Sequence, residues 1–453
     1  MSNKLLNKNL IKSILLSTIL LSILIPFFHL ELSTTIFLIL TLYTIILSFH
    51  NNKLGFYLLI LLRPCLDIFS NITILKFNDI ALNFASILGV FTILFTIYIA
   101  AFVKTKKIKA IPLTPQIIIF LSVTLFSCIL SISFVTSITE WLRLLNIFSL
   151  FALGFLLTNS VKDLSKLLIL SITSAIIPSV FALYQFISKT GLSIPLEGIY
   201  NRIFGTFAHP NLFAYYLIIP LVFALFKFLS GNKKRVPNLM TLILFLFFLS
   251  LLVLTYTRGA WIVFIFTLSI ISIFRYSYIL PILFGSILLA YLTVMPIQTR
   301  VNDLVNIGEY NSIHWRIDMW EDGVKIAREK PVIGFGTGVA DIIIEERRGK
   351  EHGSADPHND YLKILLENGM LGLLSYFALI ASILLKLYYS FVRSKMPKFK
   401  SMLIIMIALT MALYIMSFGD NIIRNTALQW LYWMLLGGIF AVSDKQKETR
   451  DET

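Results

Sequence analysis

The sequence predicts an all-α fold: a polytopic membrane helical bundle of 12–14 transmembrane helices, with one large extracytoplasmic helical loop between late spans. Three observations predict it. The 453 residues are 57% hydrophobic and 14% charged, with a mean hydropathy of +0.83, whereas a soluble domain is about half apolar and about a quarter charged. The apolar residues gather into runs long enough to cross ~30 Å of hydrocarbon. The basic residues cluster between those runs, which is how membrane orientation is written.

This composition excludes a soluble enzyme, a disordered chain and a disulfide-rich secreted module. The net charge of +15, from 39 Lys+Arg against 24 Asp+Glu, invites a nucleic-acid reading. The placement of the basic residues in short interspan loops argues against it. Cys65 and Cys128 both lie in apolar segments, so no disulfide framework or thiolate metal site is expected.

The first apolar run, roughly Leu10 to Leu30, follows Lys4, Lys8 and Lys12 and lacks an A-x-A-like cleavage site, so it reads as an uncleaved anchor. Further runs fall near 33–50, 54–69, 80–103, 113–133, 141–158, 166–187, 211–230, 239–257, 259–274, 277–296, 367–391, 401–418 and 426–442. The run at 54–69 carries Arg63, Pro64 and Asp67 and reads as re-entrant or half-buried. The 239–274 pair is tight, which leaves twelve spans open beside fourteen. Residues 1–296 then form a transmembrane bundle of about eleven spans, 297–366 an extracytoplasmic loop, and 367–453 the last spans and a cytoplasmic tail. Intramembrane charges are few: Arg63, Asp67 and Arg143.

With the N-terminus in the cytoplasm, one set of loops holds Lys104/Lys106/Lys107/Lys109, Lys233/Lys234/Arg235 and Arg393/Lys395/Lys398/Lys400. The other holds only Lys76, Lys189, Arg202, Arg258 and Arg424 among its short loops. The positive-inside rule places the first set, and the tail with Lys445, Lys447 and Arg450, in the cytoplasm. An even number of spans follows. The long segment Gln298 to Tyr361 falls outside, where a water-exposed site has room.

Four polar stretches map to that outer face. In Arg202-Ile-Phe-Gly-Thr-Phe-Ala-His-Pro-Asn211, Gly205 permits a tight turn and Pro210 starts the next helix, which leaves Arg202 and His209 at the interface. In Thr255-Tyr-Thr-Arg258-Gly-Ala-Trp261, Arg258 stands at or inside the boundary. A charge costs ~2.5–3.5 kcal/mol near a span centre and less near the edge. That position fits an anion-binding cation, with a headgroup-reaching Arg as the plain alternative.

The third stretch, His314 to Pro331, has the pattern of an amphipathic helix. Ile313, Ile317, Trp320, Val324 and Ala327 share the apolar face, with Arg316 at its edge beside Trp320, and Pro331 ends the helix. The following Gly334-Phe-Gly-Thr-Gly338 lacks the Gly-Lys-Ser/Thr of a P-loop and reads as a structural turn. The fourth stretch runs from Asp356-Pro-His358 into a span. Asp356 fits an N-cap and Pro357 the first helical position, which puts His358 in the first turn, where the helix dipole favours a neutral imidazole. The spacing His352, Asp356, His358, Asp360 resembles a metal set, but capping and loop polarity explain it without one. No metal and no cofactor is expected.

Outward arginines and one neutral-biased His suit a lipid-linked diphosphate donor. Guanidinium binds phosphate by bidentate, charge-assisted hydrogen bonds. Fixed cations stabilise the charge that builds on a departing diphosphate. What remains is to deprotonate an acceptor hydroxyl, which is work for His358.

These stretches resemble the O-antigen ligase/polymerase superfamily of bacterial envelope glycan enzymes. The matching residues are Arg202–Asn211, Thr257-Arg258-Gly-Ala-Trp261, Arg316–Trp320, Glu329-Lys-Pro-Val-Ile-Gly-Phe-Gly336, and His358-Asn…Leu362…Glu367-Asn-Gly369…Gly372-Leu-Leu374, in order around one long loop. The resemblance implies metal-independent, inverting transfer of a glycan from an undecaprenyl-diphosphate carrier to an acceptor hydroxyl on a glycan, lipid or protein. It implies a multi-pass protein of the bacterial cytoplasmic (inner) membrane, with both termini cytoplasmic and the site extracytoplasmic. Carried over, His358 resembles the catalytic histidine and Arg258 and Arg316 the essential arginines. Arg202, His209, His314 and Asp420, the last in Phe-Gly-Asp-Asn before the final span, complete the expected substrate-binding set. Membrane lipids are expected partners and nucleic acid is not. A lipid-glycan flippase or solute transporter is the alternative from another class; it would show charges deep in several spans and repeated halves. The related shape-and-division polymerases fit the His358 segment less well.

Overall fold

A computed structural model of the chain describes residues 32–77, 80–194, 199–230, 237–293, 298, 312–349 and 355–451. The expected anchor at Leu10 to Leu30 lies outside the described residues, as do His352 and much of the segment before the amphipathic helix.

The fold is an all-α polytopic bundle. Among the described residues, seven helices are long and apolar enough to cross a membrane: Phe84–Val103, Phe134–Leu157, Val161–Ser188, Pro210–Ser230, Asp360–Arg393, Pro397–Met416 and Thr426–Gln446. Five shorter apolar helices accompany them: Thr34–His50, Thr114–Ile129, Leu239–Leu254, Arg258–Phe274 and Ile279–Thr293. The run expected at 54–69 is an 11-residue helix, Asn52–Leu62, followed by 3-10 turns at Arg63–Cys65 and Asp67–Phe69. At 1.5 Å per residue such a helix reaches only about half-way across the hydrocarbon, in line with the half-buried reading of that run.

The boundaries follow local chemistry. Side chains of Asn51, Asn83 and Ser160 accept the first free amides of their helices. Proline opens the helices at Pro210, Pro237 and Pro397, where its missing N–H costs nothing. Large apolar side chains such as Ile118, Phe126, Ile187 and Leu292 point outward, as expected of lipid-facing positions.

The core is centred on α1 (Phe134–Leu157) and α2 (Thr426–Asp451). Their backbones meet directly. A Cβ on Gly154 would strike the Met434 carbonyl, and one on Gly437 the Phe151 carbonyl. The Trp430 indole donates to Asn146 Oδ1 at 2.6 Å across this seam, so a buried polar group is satisfied between the two helices.

Two ends can be told apart. At one, Lys107 and Lys445 both reach Asn159 (2.7 and 2.8 Å), Lys53 pairs with Asp163, and Lys386 with Asp444. The loop holding Lys104–Lys109 and the C-terminal helix therefore share that end. The other end carries two short antiparallel hairpins, Leu75–Phe77 with Ile80–Leu82 and Leu192–Ile194 with Ile199–Arg202. It also carries the late loop and the 417–425 connection, so all four polar stretches gather there.

The late loop builds its own small core from Met319, Ile326, Phe335, Val339, Ile343, Leu362 and neighbours. Its amphipathic helix, α3 (Ser312–Ala327), does not bury the expected face. Met319, Ile326 and Ala327 are buried and Gly323 packs on Leu362, while Ile317 and Val324 stand 45% and 41% exposed. The packed face is rotated by about one residue, ~100°, from the one the pattern suggests. Met319 and Gly323 fit against the Leu362 helix, and that contact outweighs two branched aliphatic residues left at the surface.

The glycine-rich loop is the structural turn expected. Its Phe335 and Gly336 amides donate to Leu366 and Glu367 carbonyls (both 2.9 Å), so they are not free to cradle a phosphate. Gly369 interrupts the helix Asp360–Arg393 with φ +62°, and a Cβ there would collide with the Val332 backbone. A short helical stretch ending at Asn368 is thereby separated from the longer apolar helix that follows.

Candidate active site

The site is organised by the connection 417–425, which is pinned on several sides. Arg143 donates to the Ile423 carbonyl (2.8 Å), and Asp360 accepts from the Ser417 hydroxyl (2.8 Å) and the Ile423 amide (3.1 Å). Asn425 donates to the Leu212 carbonyl and Gln429 to that of Ile422 (2.8 and 3.0 Å). A loop so held presents Gly419, Asp420 and Asn421 at fixed positions.

Arg316 and His358 address consecutive residues of this loop. Arg316 Nη1 donates to the Gly419 carbonyl at 2.7 Å. His358 Nδ1 lies 3.5 Å from Asp420 Oδ1, slightly beyond hydrogen-bond range, and the nitrogen is buried. The His358 side chain as a whole remains 27% exposed, so one edge of the ring reaches solvent.

His358 does not sit in the first helical turn. The helix is capped by Asn359, whose side chain accepts the Tyr361 and Leu362 amides, and it begins at Asp360. His358 precedes the cap with φ +45°, a left-handed conformation that no helical residue adopts. Asp356 accepts the His358 amide at 3.1 Å instead of capping the helix. The Trp320 indole donates to the Pro357 carbonyl at 2.8 Å, and the Trp315 ring stands edge-on to the imidazole at 6.1 Å. The ring is thus positioned by a strained loop and by α3, from outside the helix.

The other stretches join through Asp420. Asn211 Nδ2 donates to Asp420 Oδ2 at 3.1 Å, and Arg202 Nη2 donates to Asn211 Oδ1 at 3.0 Å. Arg202 is 6% exposed and also donates to the Thr255 carbonyl (2.9 Å) and Thr257 Oγ1 (3.2 Å). It therefore fastens the end of a hairpin to the helix break that precedes Arg258. Arg258 opens the next helix after Thr257, and its neighbour Gly259 abuts the Tyr215 hydroxyl, which lies in the field of Asp420 and Arg316.

His209 Nδ1 accepts the Asn211 amide at 3.2 Å, which leaves the ring proton on Nε2. The ring is open to solvent on one side, yet crowding desolvates it, and the Arg202 and His358 charges act the same way. Together they outweigh Asp420 and hold its pKa below the usual histidine value. Burial works to raise the Asp356 pKa, but hydrogen bonds from Asn421, with His358 and Lys363 nearby, prevail and lower it. His314 lies on α3, but its side chain is outside the described residues.

The structure thus brings together His358, Arg316, Asp420, Arg202 and His209 at one end of the bundle, with Arg258 one residue from the Tyr215 contact. Asp360 turns to Ser417 and Ile423 instead of joining Asp356 and His358. Sequence reasoning missed Asn421, whose amide donates to both Asp356 oxygens, and Arg143, which anchors the loop. The unusual polar run Gly419-Asp420-Asn421 was the available signal for the first, and a charge inside a span for the second.

The cleft of about 620 Å³ at this end is lined by Arg63, Asp67, Glu140, Arg143 and Arg424, with Arg258, Arg316 and His358 not among its lining residues.

Residues 243–377 match the family model described as O-Antigen ligase, a segment that contains Arg258, Arg316 and His358. A protein of Rickettsia conorii described as "Putative polysaccharide ligase RC0486" is 28% identical over 282 residues, covering 56% of this chain and 63% of that relative. The match thus spans less than two thirds of the relative's length. Both similarities support the O-antigen ligase superfamily for this multi-pass membrane protein.

Proposed function

We propose that this chain, whose residues 243–377 match the O-antigen ligase family model, transfers a glycan from an undecaprenyl-diphosphate carrier to an acceptor hydroxyl on the outer face of the bacterial cytoplasmic membrane. The observation that carries the reading is the adjacency of two contacts: His358 Nδ1 at 3.5 Å from Asp420 and Arg316 Nη1 at 2.7 Å from the preceding carbonyl, Gly419.

The chemistry follows from that adjacency. Asp420 faces Nδ1, which favours the tautomer with a proton there and leaves Nε2 as the base nitrogen. Nε2 takes the proton of the acceptor hydroxyl as its oxygen bonds to the anomeric carbon. The bond from that carbon to the diphosphate oxygen breaks, the electron pair leaves with the diphosphate, and the anomeric configuration inverts. Arg258 and Arg316 hold the diphosphate and stabilise its growing charge. Neutral His209 offers an Nε2–H donor to the substrate, and His314 is proposed as a further substrate-binding residue. Arg202 acts through Asn211 and Asp420, as a positioning residue. No step requires a metal ion.

The test is reconstitution of the full chain in liposomes with lipid-linked glycan and acceptor. Transfer that is lost in His358→Ala is the expected result. Donor flipping that survives His358→Ala, with no transfer by the intact protein, would overturn it in favour of a flippase. In a deletion strain, carrier-linked polymer accumulates if the activity is a ligase and single repeats if it is a polymerase.

A further inference from the structure

The charges that stand out as intramembrane in the sequence, Arg63, Asp67 and Arg143, come from two separate apolar runs. In the fold all three line one cleft, with Glu140, Thr139 and Arg424, and its volume is about 620 Å³. That lies within the ~300–1,000 Å³ of small-ligand pockets. Ionisable groups at membrane depth are costly and concentrate where they serve a substrate or ion. Arg63 and Asp67 take no part in the chemistry at His358, and Arg143 bears on it only by anchoring the 417–425 loop.

Each arginine is already neutralised. Arg63 pairs with Asp67 at 2.6 Å, Arg143 with Glu140 at 2.7 Å, and Arg424 with Asp341 at 2.7 Å. The wall carries these three arginines against two carboxylates, and Asp341, which does not line it, pairs with the third, so the cleft offers charged groups already spent on one another. It suits the hydroxyls of an uncharged sugar and disfavours a diphosphate, which needs unspent cations.

The cleft and the His358 segment share one loop. Asp420 faces His358, while Arg424, four positions on, lines the cleft and lies 3.8 Å from Asp356, whose carboxylate accepts the His358 amide. In an inverting displacement the acceptor hydroxyl arrives opposite the leaving group. The diphosphate-binding cations are Arg258 and Arg316, so the acceptor enters from a side those cations do not line.

We propose that the cleft bounded by Arg63, Asp67, Glu140, Arg143 and Arg424 is the acceptor subsite and binds the uncharged sugar rings of a glycan acceptor. This rests on the transferase reading above and narrows its acceptor to a carbohydrate.

Two variants of the full chain test it. Thr139→Trp fills the cleft. Arg63→Met with Asp67→Leu removes a whole ion pair, a replacement that proteins tolerate far better than loss of one partner, and so guards against a folding failure of the first. The binding probe is carrier-free oligosaccharide released by mild acid from the surface glycan of the native cell, followed by saturation-transfer NMR on detergent-purified protein. Binding weakened about tenfold or more in both variants, and unchanged by inorganic diphosphate, is the expected result. In the liposome assay the acceptor KM rises about tenfold or more while the donor KM stays within about twofold. Undiminished oligosaccharide binding in a folded double variant, competition by diphosphate, or a rise confined to the donor KM each overturns the subsite. Because the binding arm needs no turnover, transfer that persists in His358→Ala would sink the catalytic reading without touching it.

Discussion

His358 Nδ1 lies 3.5 Å from Asp420 Oδ1, and the same carboxylate receives Asn211 Nδ2 on its other oxygen at 3.1 Å. Asp420 is thus the point at which the His358 segment and the start of the helix Pro210–Ser230 meet, with the carboxylate held by Asn211 and facing the imidazole just beyond hydrogen-bond range. His358→Ala is expected to lower kcat by roughly 10²–10⁴-fold with little loss of donor binding. Asp420→Asn is expected to lower kcat by more than about tenfold while the donor KM changes little, because it removes the carboxylate that His358 faces. Liposome kinetics over pH 5–9 check both.

Arg316 is fixed by one bond to the Gly419 carbonyl, which leaves its other nitrogens for phosphate. Arg316→Ala and Arg258→Ala are expected to weaken donor use by roughly 10²–10³-fold in kcat/KM. Lysine rescues either poorly, because a point charge lacks the planar fork. Full activity of Arg316→Lys would contradict a bidentate role.

Arg202 behaves differently. It is buried and donates to Thr255, Asn211 and Thr257. Arg202→Ala leaves those acceptors without their donor and is expected to cost about 1–3 kcal/mol of stability. Thermal unfolding in detergent reads it. Activity falls through kcat as Asn211 releases Asp420, with the donor KM little changed.

The pKa of His209 is lowered in the fold, so the unfolded chain binds its proton more readily than the folded one. The contribution to stability is complete above the ordinary histidine value of about 6.5 and declines as pH falls through that value towards the lowered one. Thermal stability is expected to fall between about pH 7 and 5, and His209→Gln to flatten that fall. An unchanged slope in His209→Gln would assign the effect elsewhere.

EDTA is expected to leave transfer intact, since base, carboxylate and cations are all side chains. Inhibition by EDTA that one divalent ion reverses would reopen the spacing His352, Asp356, His358, Asp360 as a metal set.

Hydropathy alone specifies a helical membrane bundle here, because a backbone in hydrocarbon has to satisfy its own hydrogen bonds within helices. The clustering of lysines, the breaks before Pro210 and Arg258, and the polar stretches around the late loop are equally local, and the sequence displays them. Four features are not carried by those patterns. Which face of α3 packs was decided by the fit of Met319 and Gly323 to Leu362, against the apolar stripe. Whether His358 lies inside its helix was decided by Asn359, which took the capping role from Asp356. That Asp420 meets His358, and that Arg63, Asp67 and Arg143 share a cleft, depended on which helices stand side by side. Periodicity reports what a residue does relative to its own helix; a side chain's partners on other helices are set by packing among spans far apart in the chain, and only the tertiary structure fixes those.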